Sequence, residues 1–356
     1  MNKIKVLVVD DSAFMRKVIS DIINSYPDME VIEKARDGND ALQKIETFSP
    51  DVVTMDVEMP KLDGLSALKN IMDTNPVPVI MLSSLTQNGA EQTVKALQFG
   101  AVDFIPKPSG SISLDIEKVK DDIISKIRIA AGAKRKLQNL NINHDLNSIV
   151  KIKPPTKKID YKKQLKKLIV MGTSTGGPKA LHEVLPKIPV NIDAAILIVQ
   201  HMPPGFTKSL ADRLDILSQI KVKEAEHGEK VIPGCAYITP GNYHLNVESI
   251  YNQIKKDLII NLNQNNPIKG HRPSVDEMLL SVTKHFWSDI ICVIMTGMGS
   301  DGSKNLHLIK QKGGKVIAEH QSTCIVYGMP KAAIQTGNVD SIVPLEDITK
   351  EIISMI

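Results

Sequence analysis

The chain has 356 residues, 42% of them hydrophobic and 24% charged, and a formal net charge of +4. That length suits two globular domains, and so small a net charge gives no ground for a nucleic-acid partner. Three cysteines, Cys235, Cys292 and Cys324, stand in no Cys-x-x-Cys spacing, which excludes a disulfide framework or zinc site as the organising feature. Cys292 sits inside an apolar run and reads as a buried inert thiol. The first apolar run, Val6–Val9, is too short for a signal peptide, and no later run approaches a membrane span. The expected location is the cytoplasm, with no membrane insertion.

In the first 130 residues, apolar runs recur at Val6–Val9, Val31-Ile32, Val52-Val53, Val77–Leu82 and Val102–Ile105. Between them lie segments of helical period, such as Phe14, Val18 and Ile22, and later Val94, Leu97 and Ala101. Strands alternating with helices predict a doubly wound parallel sheet of five strands, in which ligands sit beyond the carboxyl ends of the strands. Those ends carry Asp10-Asp11, Asp56, Ser83-Ser84 and Lys107-Pro108. Clustered carboxylates repel one another, so the set calls for a cation. A hard divalent ion such as Mg²⁺, which takes oxygen ligands, suits it.

These residues, with Met55-Asp56-Val57-Glu58-Met59-Pro60, Asp63-Gly64, Met81-Leu82-Ser83 and Phe104-Ile105-Pro106-Lys107-Pro108, resemble a response-regulator receiver domain over residues 3–130. The resemblance implies that Asp56 accepts a phosphoryl group from a histidine kinase, and that Asp10, Asp11 and Asp56 hold Mg²⁺. It further implies that Ser83 hydrogen-bonds the phosphoryl oxygens, that Lys107 pairs with their charge, and that Phe104 is an aromatic switch residue.

From about Gly132 the periodicity dissolves. Lys134, Arg135, Lys136, Lys151, Lys153, Lys157, Lys158, Lys162, Lys163, Lys166 and Lys167 face only Asp145 and Asp160. The expected division is residues 1–131, a flexible basic linker over 132–166, and a second domain over 167–356. A coil of about 35 residues spans about 30–35 Å root-mean-square, and with Tyr161 its lone aromatic it reads as a solvated tether rather than a nucleic-acid segment.

The second domain opens on Leu168–Pro178, an apolar run ending in Gly172-Thr173-Ser174-Thr175-Gly176-Gly177-Pro178. This is a strand, a tight turn and a helix with proline near its start, where a missing N–H costs nothing. Such a turn either cradles phosphate at the helix N-terminus or presents a serine nucleophile. Pro178 replaces the lysine of a Walker A loop, and Ser174 replaces the second glycine of a dinucleotide fingerprint. Gly172-x-Ser174-x-Gly176 matches a nucleophile elbow, in which the acid precedes the histidine in the chain. His307 and His320 would serve there, but the pattern places neither at a strand-end turn. Further on, Ala194–Gln200 delivers His201, Phe206–Leu217 is helical, Gly234–Thr239 and Leu258–Leu262 are strands, and Pro240-Gly241-Asn242 is a turn. Ser274–Phe286 is a helix with Ser274 as N-cap, and Ile290–Met295 delivers Thr296–Gly302 with Asp301 at its mouth. With Lys315–Ala318 and Asp340–Val343 this predicts an α/β sheet, mostly parallel, with some antiparallel strands after Lys221. Ser174, His201 and Asp301 then share the strand-end position that a nucleophile, its base and an orienting acid require.

The second domain resembles the chemotaxis-type protein-glutamate methylesterases over about residues 166–354. The likeness rests on the Gly172–Pro178 turn, Gln200-His201-Met202-Pro203, Gly270-His271-Arg272-Pro273-Ser274-Val275-Asp276, Met295–Gly302 and Tyr327-Gly328-Met329-Pro330. It implies a serine hydrolase with Ser174 as nucleophile, His201 as base and Asp301 as acid, and with no metal in the hydrolase site. Oxyanion donors would be the N–H groups near Thr175 and of Met298. Arg272 would position substrate, with a surface salt bridge as the alternative. The implied substrates are glutamate methyl esters, and by the same acyl transfer glutamines, on chemoreceptor cytoplasmic helices. Ser300 departs from the asparagine of many relatives. A transcription factor, for which no helix-turn-helix follows the linker, a non-catalytic adaptor and an esterase of another substrate are the competing classes.

Overall fold

A computed structural model describes residues 3–107, 120–132, 163–252 and 255–356. Pro108 and the linker residues from Lys134 to Lys162 lie outside the described residues. The chain divides into two compact units, Met1–Ser148 and Ile149–Ile356.

The first unit is the expected five-stranded parallel sheet. Its strands are β1 (Ile4–Val9), β2 (Met29–Ala35), β3 (Val52–Asp56), β4 (Val79–Ser83) and β5 (Asp103–Pro106), in the order β2-β1-β3-β4-β5. Every residue of β3 and β4 is buried, which is why both read as continuous rather than alternating apolar runs. The helices are α1 (Ala13–Asn24), α2 (Gly38–Phe48), α3 (Gly64–Thr74), α4 (Gln87–Gln98) and α5 over residues 120–132. Ser12, Asp37, Asp63 and Thr86 cap the first four, each side chain accepting from a backbone N–H in the first turn. The expected helical face through Ala101 is shorter than the periodicity suggests. Helix α4 ends at Gln98 because Gly100 turns the chain at φ 108°, and Ala101 belongs to the approach to β5.

The second unit is built on a seven-stranded sheet. Its strands are β6 (Lys167–Thr173), β7 (Ala194–Gln200), β8 (Lys221–Glu224), β9 (Cys235–Ile238), β12 (Asp289–Ile294), β13 (Lys315–Glu319) and β14 (Ser341–Val343). They lie in the order β14-β13-β12-β6-β7-β9-β8, all parallel. The antiparallel strands expected after Lys221 are therefore outside this sheet. They form a separate ribbon of β10 (His244–Asn252) and β11 (Lys255–Asn263). The ribbon buries Leu245, Val247, Leu258 and Ile260 in the unit's core and is tied to α8 (Val275–His285) by Ser281, whose hydroxyl accepts from Val247 N and donates to Val247 O. The remaining helices are α6 (Gly177–Val184), α7 (Phe206–Leu217), α9 (Leu306–Gln311), α10 (Met329–Gln335) and α11 (Ile348–Ser354).

The strand order reverses at β6, whose neighbours are β7 on one side and β12 on the other. Such a switch point leaves a crevice at the carboxyl edge. Leu165, ahead of β6, is already buried in the core, as are Leu168 and Val170. All three cysteines are buried thiols outside any disulfide. Burial pushes the Cys235 thiol up to about 12 and holds Cys292 above the usual thiol range, which bears out the inert reading of Cys292.

Tyr237 on β9 is 1% exposed, and its hydroxyl accepts from Ile232 N and donates to Lys230 O. Tyr237→Phe strands both backbone groups and is expected to destabilise the second unit by about 1–3 kcal/mol. The urea unfolding midpoint of the full chain checks this.

Candidate active site

The three strands at the centre of the second sheet each deliver one residue of the candidate triad. Ser174 follows β6, His201 follows β7, and Asp301 lies in the loop after β12. The serine turn is held from several sides. Ser174 N–H donates to Thr296 O at 3.0 Å, and Ser174 O accepts from Gly177 N and from Gln200 Nε2. Gln200 also accepts from Thr173 Oγ1 at 2.6 Å, so the residue before the histidine clamps the serine turn. Gly176 caps α6 at φ 80°, and a Cβ on Gly177 would stand 2.0 Å from Gln200 Oε1. The loop after β12 approaches just as closely, because a Cβ on Gly297 would meet Ser174 Cβ at 2.8 Å. Thr296 donates from its Oγ1 to Thr175 O and from its N–H to Glu319 Oε2.

His201 is nearly buried. Its Nε2 lies 2.9 Å from Asp301 Oδ2, and its Nδ1 is buried with no hydrogen-bond partner. Its ring stacks on His271. Asp301 is 3% exposed and accepts five hydrogen bonds: from His201, Ser274 Oγ, and the N–H groups of Val275, Asp276 and Gly302. Two of these are the first N–H groups of α8, where the helix dipole favours an anion. Burial alone would raise the Asp301 carboxyl. The hydrogen bond and charge of His201, with the backbone donors, outweigh burial and hold it well below the usual carboxylate range.

Other expected residues fall as follows. Thr175 is buried beside Ser174, and Met298 is exposed in the adjoining loop. The Arg272 guanidinium is turned onto the protein itself: Nε and Nη2 donate to Asn242 Oδ1, and Nη1 donates to the carbonyls of Gln264 and Asn265. Ser300 accepts from Lys269 Nζ. His307 is exposed on α9 with its ring on Lys304 O. His320, contrary to the sequence pattern, does stand directly after a strand, β13, where its Nδ1 meets Ser322 Oγ. The strand that carries it is separated from β6 by β12.

At the carboxyl edge of the first sheet, ligand atoms of Asp10, Asp11 and Asp56 lie within 4.8 Å of one another. Lys107 Nζ reaches Asp10 Oδ2 at 2.9 Å and Asp56 Oδ2 at 2.6 Å. Burial pushes the Asp56 carboxyl up to about 6 against the opposing pull of Lys107. Burial penalises the Lys107 ammonium too, but Asp56 and Asp10 hold it above the usual range. Ser83 Oγ donates to backbone carbonyls of Ser84 and Gly89. Gly64 is confined to glycine because a Cβ there would stand 1.9 Å from Asp56 O. Phe104 is buried with Lys126 Nζ 5.3 Å from its ring centre. An all-oxygen cluster of this kind fits a hard divalent cation.

Sequence reasoning missed Gln200, Thr296, Gly297, Glu319 and the second bond of Ser274. Glu319 ends β13 and is fully buried, so the strand-end rule that found Asp301 would have found it.

Fold and site together define a two-unit α/β protein: a receiver-type acidic pocket in one unit and a hydrolase-type Ser, His and Asp set in the other. The sequence profile of the CheB methylesterase family matches residues 169–352, and that of the response regulator receiver domain matches residues 6–117. The chain is 58% identical over 356 residues to protein-glutamate methylesterase/protein-glutamine glutaminase 1 of Syntrophomonas wolfei, covering 100% of both chains. It is 46% identical over 355 residues to the protein-glutamate methylesterase/protein-glutamine glutaminase of Thermotoga maritima, covering 99% of this chain and 98% of that one. The crystal structure of the Thermotoga maritima CheB methylesterase catalytic domain superposes with a TM-score of 0.51 at 45% identity, covering 54% of this chain and 99% of that one. The chain belongs to the CheB methylesterase family.

The depressed Asp301 pKa makes a prediction about stability. A carboxyl lowered on folding contributes stability above its unfolded pKa of about 4 and loses it as pH falls through the folded value. Urea midpoints of wild type and Asp301→Asn are therefore expected to differ most at pH 5–7 and to converge only at pH well below 4. A gap already closed at pH 5 would contradict the assignment.

Proposed function

We propose that the protein is a phosphorylation-activated protein-glutamate methylesterase and protein-glutamine glutaminase that serves chemotactic adaptation. The observation that carries this is the delivery of Ser174, His201 and Asp301 by three adjacent strands, with His201 Nε2 held on Asp301. Because Nε2 is engaged, Nδ1 is the nitrogen left to take the serine proton. Ser174 Oγ attacks the ester carbonyl carbon while Nδ1 accepts its proton. The tetrahedral oxyanion is stabilised by backbone N–H groups of the Thr175 turn and of Met298, donors of a kind worth about 10²–10³ in rate. Collapse breaks the C–O bond, and Nδ1–H gives its proton to the departing methoxide, forming methanol. Water then attacks the acyl-serine with Nδ1 again as base, leaving a glutamate carboxylate. With a glutamine substrate the same steps release ammonia. Arg272 supports substrate positioning indirectly, by fixing the loops around Asn242 and Gln264.

In the receiver unit, Asp56 is the phosphoacceptor for a histidine kinase, Ser83 and Lys107 contact the phosphoryl group, and Asp10, Asp11 and Asp56 hold Mg²⁺. The ion, when bound, neutralises phosphoryl oxygens during transfer. The domain limits are residues 1–131 and 167–356 about a basic linker. The substrates are methylated glutamates and glutamines on chemoreceptor helices, and the enzyme works in the cytoplasm. Among the described residues no helix is long and apolar enough to cross a membrane.

Two variants test the reading. Ser174→Ala is expected to abolish methanol release from methylated chemoreceptor membranes, and retained release would remove the serine from the mechanism. Asp56→Asn is expected to keep the basal rate and lose all stimulation by a small phosphodonor such as acetyl phosphate; stimulation that survives would place the phosphoacceptor elsewhere.

A further inference from the structure

The motif Gly270-His271-Arg272-Pro273 supplies a residue that the chemistry above leaves unused. His271 lies in the loop between β11 and α8, where its backbone exchanges two hydrogen bonds with Ile268. Its imidazole lies flat on that of His201, with ring centres 4.2 Å apart and planes within 3° of parallel. The ring of His201 makes one hydrogen bond, from Nε2 to Asp301, and its Nδ1 makes none. A ring pinned at a single atom can still roll about that bond, which would swing the basic nitrogen off line. A flat, close-packed face removes that freedom. The loss matters because misplacement of a reacting group by about 1 Å costs about 10²-fold in rate.

We propose that His271 is a positioning residue: its ring is the plate against which the His201 imidazole is set, keeping Nε2 on Asp301 and Nδ1 directed to the Ser174 hydroxyl. The inference rests on His201 being the general base. Two charged rings at this separation would repel, so the stack also favours a neutral His271. Burial, with the charge of His201, lowers His271 below the ordinary histidine range. The neighbouring ionisable groups make bonds of their own. Asp301 bonds His201, and Asp276 at the start of α8 takes Asn305 N on its carboxylate and is raised by burial and by Asp301. Lys269 reaches Ser300 Oγ, and Arg272 is turned onto Asn242, Gln264 and Asn265.

The test uses the full chain, activated with a phosphodonor, and compares His271→Phe with His271→Leu in methanol release from methylated receptor membranes. The phenyl ring preserves a flat face without titrating; leucine fills similar space without one. His271→Leu is expected to lower kcat by about 10–10²-fold with KM unchanged within about twofold. His271→Phe is expected to restore kcat to within about threefold of wild type, with the acid limb of kcat/KM in place. Selective ¹⁵N labelling of histidine adds a direct readout: His201 should be the Nε2–H tautomer in wild type and in His271→Phe, and its Nε2–H signal should broaden in His271→Leu. Leucine at the wild-type rate, phenylalanine as slow as leucine, a change confined to KM, or an Nδ1–H tautomer in wild type would each overturn the proposal. If leucine prevents folding, judged by the melting transition, His271→Ala takes its place. Ser174→Ala run alongside separates the cases: an active Ser174→Ala refutes the hydrolase reading itself, whereas an inactive one beside a fully active His271→Leu refutes only the plate.

Discussion

The catalytic unit depends on one anion held where no water can help it. Asp301 is buried and ionised because the first turn of α8 offers two N–H groups, Ser274 adds a hydroxyl and Gly302 a third backbone donor. A buried carboxylate lacking such donors would protonate and lose its hold on an imidazole. Held as it is, Asp301 fixes the Nε2 side of His201 and joins three separate chain segments at one point: the loop after β12, the start of α8 and the turn after β7. Ser274 illustrates the economy of the arrangement. The same hydroxyl caps the helix at Glu277 N and donates to the anion.

Both units place chemistry at the carboxyl ends of parallel strands, yet opposite physics governs the two carboxylates that matter. Asp301 is surrounded by donors and driven strongly acidic. Asp56 is surrounded by burial and by another carboxylate, Asp10, against which Lys107 pulls, and is pushed up to about 6. The first carboxylate is built to stay charged and static. The second shares its pocket with two further carboxylates, Asp10 and Asp11, which is the condition under which a hard divalent ion becomes a favourable addition.

Most of the fold was legible in the sequence because both sheets are parallel. Parallel strands covered on both faces read as unbroken apolar runs, and the residue after each run is automatically at the functional edge. That logic placed Asp10, Asp56, Lys107, Ser174 and His201 at the carboxyl ends where the structure has them, and Asp301 a few residues beyond β12. It failed where pattern and pairing part company. The pattern marks Leu258–Leu262 as a strand but passes over its partner β10, and an alternating run is the same whether its strand joins the main sheet or leaves it, so the β10–β11 ribbon could not be told from an edge of the sheet. Likewise His320 follows a strand as faithfully as His201 does, and only the strand order shows that β13 is two positions from β6. Gln200, Thr296 and Arg272 act through hydrogen bonds to partners far away in the chain, and no local spacing encodes those.

The separation of the proposed triad along the chain has a consequence for the protein's life before it is complete. His201 and Asp301 are 100 residues apart in sequence, and Ser174 N–H is fixed by Thr296 O, on the far side of the same gap. As the chain leaves the ribosome from its N-terminus, the serine and the histidine emerge long before β12 and α8 exist to receive them. Until then Ser174 is an ordinary alcohol and His201 an ordinary imidazole. On the proposed mechanism, hydrolytic power therefore arrives with the closure of the sheet around β6 and not with the synthesis of Ser174, so chains lacking β12 are expected to be inactive.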